Sequence, residues 1–124
     1  MSKPKFEPEL FPRCPIRNIL TRICDRWSLL VLYTLETRGT MRFTTLRHDL
    51  PDISQKMLAQ TLRHLEQDGF ITRHVYAEVP PRVEYSLTGR AHSIMPIIDN
   101  LIEWAVQNMP DIMRDRSVDK EKGI

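Results

Sequence analysis

The hydrophobic period of this chain changes at Gly69. Upstream, Leu58, Leu62 and Leu65 recur at the spacing of one helix face. Downstream, Val83, Tyr85 and Leu87 alternate with Arg82, Glu84 and Ser86, the pattern of a half-buried strand. A chain that must seat a leucine-striped helix directly before a two-stranded ribbon has few compact solutions. The helix is predicted over Ser54 to Asp68, because Ser54 is a good N-cap and Gly69 suits the position just past a C-terminus. Before it, Thr44 to Leu50 reads as a short helix stopped by Pro51, and Pro51-Asp52-Ile53 as a three-residue turn. Two helices so joined form a helix-turn-helix candidate.

The remaining elements fit around that pair. Ile16, Ile19, Leu20 and Ile23 follow helical spacing, with Pro15 in the first turn, where its missing N–H costs nothing. A second helix is predicted over Arg26 to Thr37. Its Leu29, Leu30, Leu32, Tyr33 and Leu35 lie nearly all round the axis, which predicts burial at the domain centre. Met41-Arg42-Phe43 is a strand candidate. Phe70 to Ala77 and Arg82 to Leu87 form a hairpin around Glu78-Val79-Pro80-Pro81, although Arg73 shares a face with Ile71 and Val75. Thr88 caps a long last helix carrying Ile94, Ile97, Ile98, Leu101, Ile102 and Ala105, which Pro96 is expected to bend or interrupt. Residues 1–13 read as an extended arm, 14–109 as one domain, and 110–124 as a flexible tail. The fold class is mainly α with a small β-hairpin (α+β).

Composition narrows the function. A length of 124 residues suits one domain, and 41% hydrophobic with 27% charged residues is an ordinary globular balance. The longest uncharged, mostly apolar run, Ser28 to Leu35, is far shorter than the roughly 20 residues a membrane helix needs, and the N-terminus has no signal-peptide core. A soluble, cytoplasmic protein without membrane contact is expected. Cys14 and Cys24 have no metal-site spacing, and His48, His64, His74 and His92 form no metal or catalytic motif. No phosphate loop or nucleophile elbow is present, so neither an enzyme nor a metal or cofactor is expected. The net charge of +2 is unevenly placed: residues 1–93 have a surplus of four positive charges and residues 94–124 a surplus of two negative ones.

The helix over Ser54–Asp68 carries the functional signal. Counting from Leu58 at about 100° per residue, Lys56, Gln60, Arg63 and Gln67 fall at roughly 140–220°, opposite the leucines. That strip is basic and amide-bearing and contains no acid. Arg and Lys donate to guanine edges or phosphates, and Gln pairs with adenine. Ser54 and Gln55 sit at the helix N-terminus, which favours a phosphate. A solvated helix face would account for the strip alone. Its place after a tight turn and before a hairpin favours docking to DNA.

The chain resembles the HxlR-type family of bacterial winged helix-turn-helix regulators, relatives of the MarR group. The resemblance runs from Cys14 to about Trp104. It rests on Cys14-Pro15, Trp27 with Leu29-Leu30, Arg42-Phe43, Leu46-Arg47, Leu50-Pro51-x-Ile53-Ser54-x-Lys56-Met57-Leu58, and Leu62-Arg63-x-Leu65-Glu66-x-Asp68-Gly69. The most specific stretch is Glu78 through Thr88. The resemblance implies a homodimer on a two-fold operator in double-stranded DNA, with the hairpin as the wing. It makes the terminal helices the dimer interface, through Ile16, Ile19, Leu20, Ile98, Leu101 and Trp104. On this reading Lys56, Gln60 and Arg63 read base edges, while Ser54, Gln55, Arg42, Arg47 and Arg82 hold phosphates. Cys14, with Arg13 and Arg17 close in sequence, becomes the candidate redox switch, its alternative being an inert buried residue. An internal Cys14–Cys24 disulfide is disfavoured by about 15 Å of intervening helix.

The chain departs from the family pattern at Cys24-Asp25, where glycines are usual, and at Arg90-Ala91, where leucine-glycine is usual. Two alternatives stay open: a regulator controlled by a small molecule at the dimer interface, with Met57, Met95, Met109 and Met113 as adaptable lining, and a winged helix that contacts protein and not DNA.

Overall fold

The computed structural model describes residues 13–121. The predicted arm over 1–13 lies outside them except for Arg13, as do residues 122–124 of the predicted tail. A π-helical stretch, Ile16–Leu20, runs into the short helix α1 (Thr21–Ile23); then come α2 (Arg26–Arg38), β1 (Met41–Arg42), α3 (Phe43–Asp49), α4 (Gln55–Gln67), β2 (Ile71–Tyr76), β3 (Arg82–Leu87) and α5 (Gly89–Glu121). The sequence reading placed most of these within a residue or two.

The core gathers on α2. Val31, Leu32 and Leu35 are buried there against Leu46 of α3, Leu58, Leu62 and Leu65 of α4, Ile71 and Tyr85 of the strands, and Met95 and Ile98 of α5. Burial is one-sided, because Leu30 and Tyr33 on the same helix are exposed. This corrects the prediction that α2 is buried all round. Asp25, one of the two departures near Trp27, explains itself as the α2 N-cap: its Oδ1 accepts from the Ser28 amide at 2.7 Å.

The three strands form an antiparallel sheet in the order β1-β3-β2. Met41 and Arg42 pair with Tyr85 and Glu84, so the strand ahead of α3 is zipped to the hairpin. Thr88 ties the base of that hairpin to its neighbours. Its hydroxyl donates to the Gly69 carbonyl at 2.6 Å and accepts from the Ala91 amide at 3.2 Å, capping α5 as predicted. Gly69 is favoured by its φ of 79°, in the left-handed region; a Cβ there would also make the Arg90 guanidinium shift, which that flexible side chain can do.

Two expectations for the terminal helices are corrected. The first segment opens with a π turn, in which the Thr21 amide reaches back to the Ile16 carbonyl. The wider turn spreads the apolar residues, and only Ile23 is buried, while Ile16, Ile19 and Leu20 are exposed. The last helix runs on through Pro96 and Pro110 to Glu121, so residues 111–121 are helical and not an irregular tail. Charged helices without apolar periodicity carry no packing signal, which is why the sequence read this stretch as irregular.

Candidate nucleic-acid interface

Helix α4 separates its two faces cleanly. Leu58, Thr61, Leu62 and Leu65 are buried, whereas Gln55, Lys56, Gln60, Arg63 and Gln67 are exposed. Ser54 caps it, its Oγ accepting from the Met57 amide at 3.0 Å. The amides of Gln55 and Lys56 have no acceptor within the helix and face the N-terminal end, where the dipole favours an anion. At about 1.5 Å per residue the helix is roughly 20 Å long, enough to lie in a DNA major groove.

The flanks of α4 are concave and cationic. On one side a 510 Å³ recess is lined by Phe43, Thr44, Arg47, His48, Pro51 and Gln55, so Arg47 of α3 faces the same hollow as the start of α4. On the other, a 320 Å³ cleft lies between α4 and the hairpin, lined by Ala59, Arg63, Glu66, Arg73 and Tyr85. A third hollow of 370 Å³ joins Arg42, Phe43 and Thr44 to Pro80, Pro81 and Arg82 at the hairpin tip. Among the described residues, no ion pair engages Arg42, Arg47, Lys56, Arg63 or Arg73. Their charges are available to a polyanion.

Arg82 differs from these. It lies near Glu78 Oε1 at 3.4 Å and Glu84 Oε1 at 3.3 Å, and its guanidinium stacks 3.9 Å above the Tyr76 ring. The approach to Glu84 satisfies charge attraction without hydrogen-bond geometry, since Nε is buried and makes no hydrogen bond. Arg82 therefore braces the hairpin, and a phosphate held there would share a guanidinium already engaged by these partners. Glu84 lies two residues on in the same strand and Glu78 four residues before, so only the Tyr76 contact needs the hairpin to close.

Arg73 is the residue that sequence reasoning overlooked, and it had left a signal. Pairing of Arg73 with Tyr85 and of Val75 with Val83 puts Arg73 on the sheet face that begins with buried Ile71. Val75, further along that face, is exposed. The face thus leaves the core at Arg73, and the guanidinium emerges into the cleft beside Arg63. A cation on an otherwise apolar strand face marked the place where the sheet overhangs the core.

The predicted interface residues divide. Ile16, Ile19, Leu20, Leu101 (48% exposed) and Trp104 (57% exposed) present apolar surface, as does Ile97. Ile98 is only 3% exposed and packs within the single chain, so its assignment to an interface is corrected. Of the four methionines proposed as pocket lining, Met95 is core and the others are exposed. Cys14 is 1% exposed at the start of the first helical segment, Cys24 is exposed, and both are free thiols.

Comparison with known proteins gives these features a family. The model of HxlR-like helix-turn-helix proteins matches residues 22–113. An uncharacterized HTH-type transcriptional regulator of Escherichia coli (strain K12), YtfH, is 41% identical over 117 residues, covering 94% of this chain and 92% of its own. The ytfH structure from Salmonella typhimurium superposes with a TM-score of 0.77 at 42% identity, covering 85% of this chain and 93% of that one. The redox regulator HypR in its oxidized form gives a TM-score of 0.70 at 40% identity, covering 77% of this chain and 97% of that one. The chain is a winged helix-turn-helix transcriptional regulator and belongs to the HxlR-like helix-turn-helix family.

Proposed function

We propose that the chain binds a two-fold operator in double-stranded DNA as a homodimer, with α4 in the major groove of each half-site. The observation that carries this reading is the exposed, acid-free strip of Lys56, Gln60 and Arg63, flanked by unpaired arginines on both sides. Lys56, Gln60 and Arg63 read base edges. Ser54, Gln55, Arg42 and Arg47 hold phosphates, and these contacts set register and supply most of the salt dependence. The strip lacks the exposed apolar side chains that a protein-docking face would need, which argues against the protein-contact alternative. Ile16, Ile19, Leu20, Leu101 and Trp104 form the seam between subunits, so half-sites recur about one helical turn apart.

Cys14 is the proposed oxidant sensor. A redox regulator among the structural neighbours supports it; because Cys14 is buried in the single chain, an oxidant reaches the thiol only when the first helical segment opens. Selection of bound duplexes from a random pool, with and without diamide, tests both parts. The expected product is a palindrome recovered without oxidant and depleted with it, and Cys14→Ser removes the depletion. Recovery of unbiased sequence would end the readout assignment, and a Cys14→Ser chain that still responds fully would end the sensor assignment.

A further inference from the structure

Leu58, Leu62 and Leu65 of α4 face the core, whereas Met57, the remaining large apolar side chain of that helix, is 39% exposed. Helical spacing explains the exception. Met57 precedes Leu58 by one residue and so lies about 100° round the axis from it, on the same side as Gln60 and His64, three and seven residues on. It therefore borders the strip of Lys56, Gln60 and Arg63 without belonging to it. Its backbone is held in the first turn, where its amide donates to Ser54 Oγ at 3.0 Å.

Beside Met57 the surface is concave. A 300 Å³ hollow is lined by Arg26 and Trp27 of α2 and by Met57, Gln60, Thr61 and His64 of α4. Asp25 completes the lining, but Ser28 engages both of its carboxylate oxygens, at 2.7 and 3.1 Å. Arg26 lies 5.4 Å from the centre of the Trp27 ring and, among the described residues, makes no ion pair. A duplex seated on the strip thus meets positive charge on this flank too.

An exposed methionine gains free energy only where it meets another apolar group, and one methionine is too small a patch to seat a protein. The floor of the major groove offers such a group. Among the donors and acceptors that base pairs display there, the C5-methyl of thymine is the apolar feature. The N-terminal residues of a recognition helix lie nearest the base edges, and the flexible thioether adapts to an irregular target. Gln60, the strip residue next to Met57, is suited to adenine, the base whose partner carries that methyl. We propose that Met57 reads a thymine methyl, at the A·T pair held by Gln60 or at the pair beside it. The contact rests on the DNA-binding reading above and adds a choice of base made without a hydrogen bond.

Deoxyuridine scanning tests the contact. Each thymine of a duplex selected from a random pool is replaced in turn by deoxyuridine, which keeps every hydrogen-bonding group and lacks only the methyl. Affinity is read by fluorescence anisotropy of the full chain at fixed salt. At one thymine in each half-site the parent chain is expected to lose about fourfold, the worth of one methyl removed from water. Met57→Ala is expected to bind the thymine and deoxyuridine duplexes equally, and Met57→Leu to keep most of the difference. A role for Met57 in the fold alone would weaken both duplexes alike and leave the ratio intact. Indifference of the parent to every deoxyuridine, or a Met57→Ala chain that keeps the fourfold ratio, would overturn the contact while sequence-specific binding stands. A parent that selects no sequence from the pool would overturn the DNA reading and this contact with it.

Discussion

Helices α4 and α5 each leave a face uncovered, and the two faces have opposite chemistry. On α4 the open strip is Lys56, Gln60, Arg63 and Gln67, already well solvated. On α5 it includes Ile97, Leu101 and Trp104 along one side, which water solvates poorly, within a region of net negative charge. Both helices anchor their opposite faces in the same core. The contrast separates two kinds of association. An apolar face gains by being covered with more protein, and a hydrated cationic strip gains by exchanging counterions for a polyanion.

The sharpest break of that contrast lies within α4 itself. Leu62→Ala should cost about 2–5 kcal/mol of folding stability in urea, because Leu62 is buried in the core. Arg63→Ala, one residue on, should change it by no more than about 0.5 kcal/mol, as exposed substitutions do. Similar losses from both would mean that the strip belongs to the fold. On α5, Trp104→Ala should weaken self-association by about 2 kcal/mol, roughly thirtyfold in dissociation constant, read by sedimentation equilibrium. An unchanged dimer constant would move the seam elsewhere.

For DNA, Arg63→Ala should cost about 1–3 kcal/mol and relax choice at one base position, while Arg42→Ala should weaken all duplexes alike and lower the salt slope by about 1. Identical behaviour of the two variants on operator and random duplexes would erase the distinction between reading and holding.

The smallest effect concerns the seam between α2 and α5. Burial, then the Asp99 carboxyl beside it, push the Glu36 carboxyl up from its ordinary value of 4.5, against a smaller opposing pull from His92. The folded value exceeds the unfolded one, so the stabilisation tied to the protonated form is complete below about 4.5 and fades as pH rises through the folded value. Glu36→Gln should therefore raise Tm by about 1–3 °C at pH 7, with the gain shrinking toward pH 4.5. A gain that is constant across that window would show that the charge on Glu36 is not its source.

What could be read from the sequence was whatever local chemistry decides. Ser54 and Gly69 bracket α4 through capping and backbone conformation, and the alternation over Arg82–Leu87 sets β3 without reference to any other segment. The strip followed from helical geometry once those limits were known. Residues whose roles depend on distant partners escaped. Arg82 is a nearer case, since Glu78 and Glu84 lie within four residues of it and only the Tyr76 ring comes from the paired strand. Ile98 looked like interface because the angle at which α5 crosses α2 decides which of its isoleucines point inward. Arg73 looked like an irregularity because the edge of the core cannot be located from one strand alone.

Pairing of Arg42 with Glu84 links the wing to the residue immediately ahead of α3. Wing and α3 are thereby tied into one block, against which α4 packs through β2. In the proposed dimer, a signal arriving from the terminal helices would reorient each half whole, changing the pitch between two reading heads while leaving the grip of each head intact.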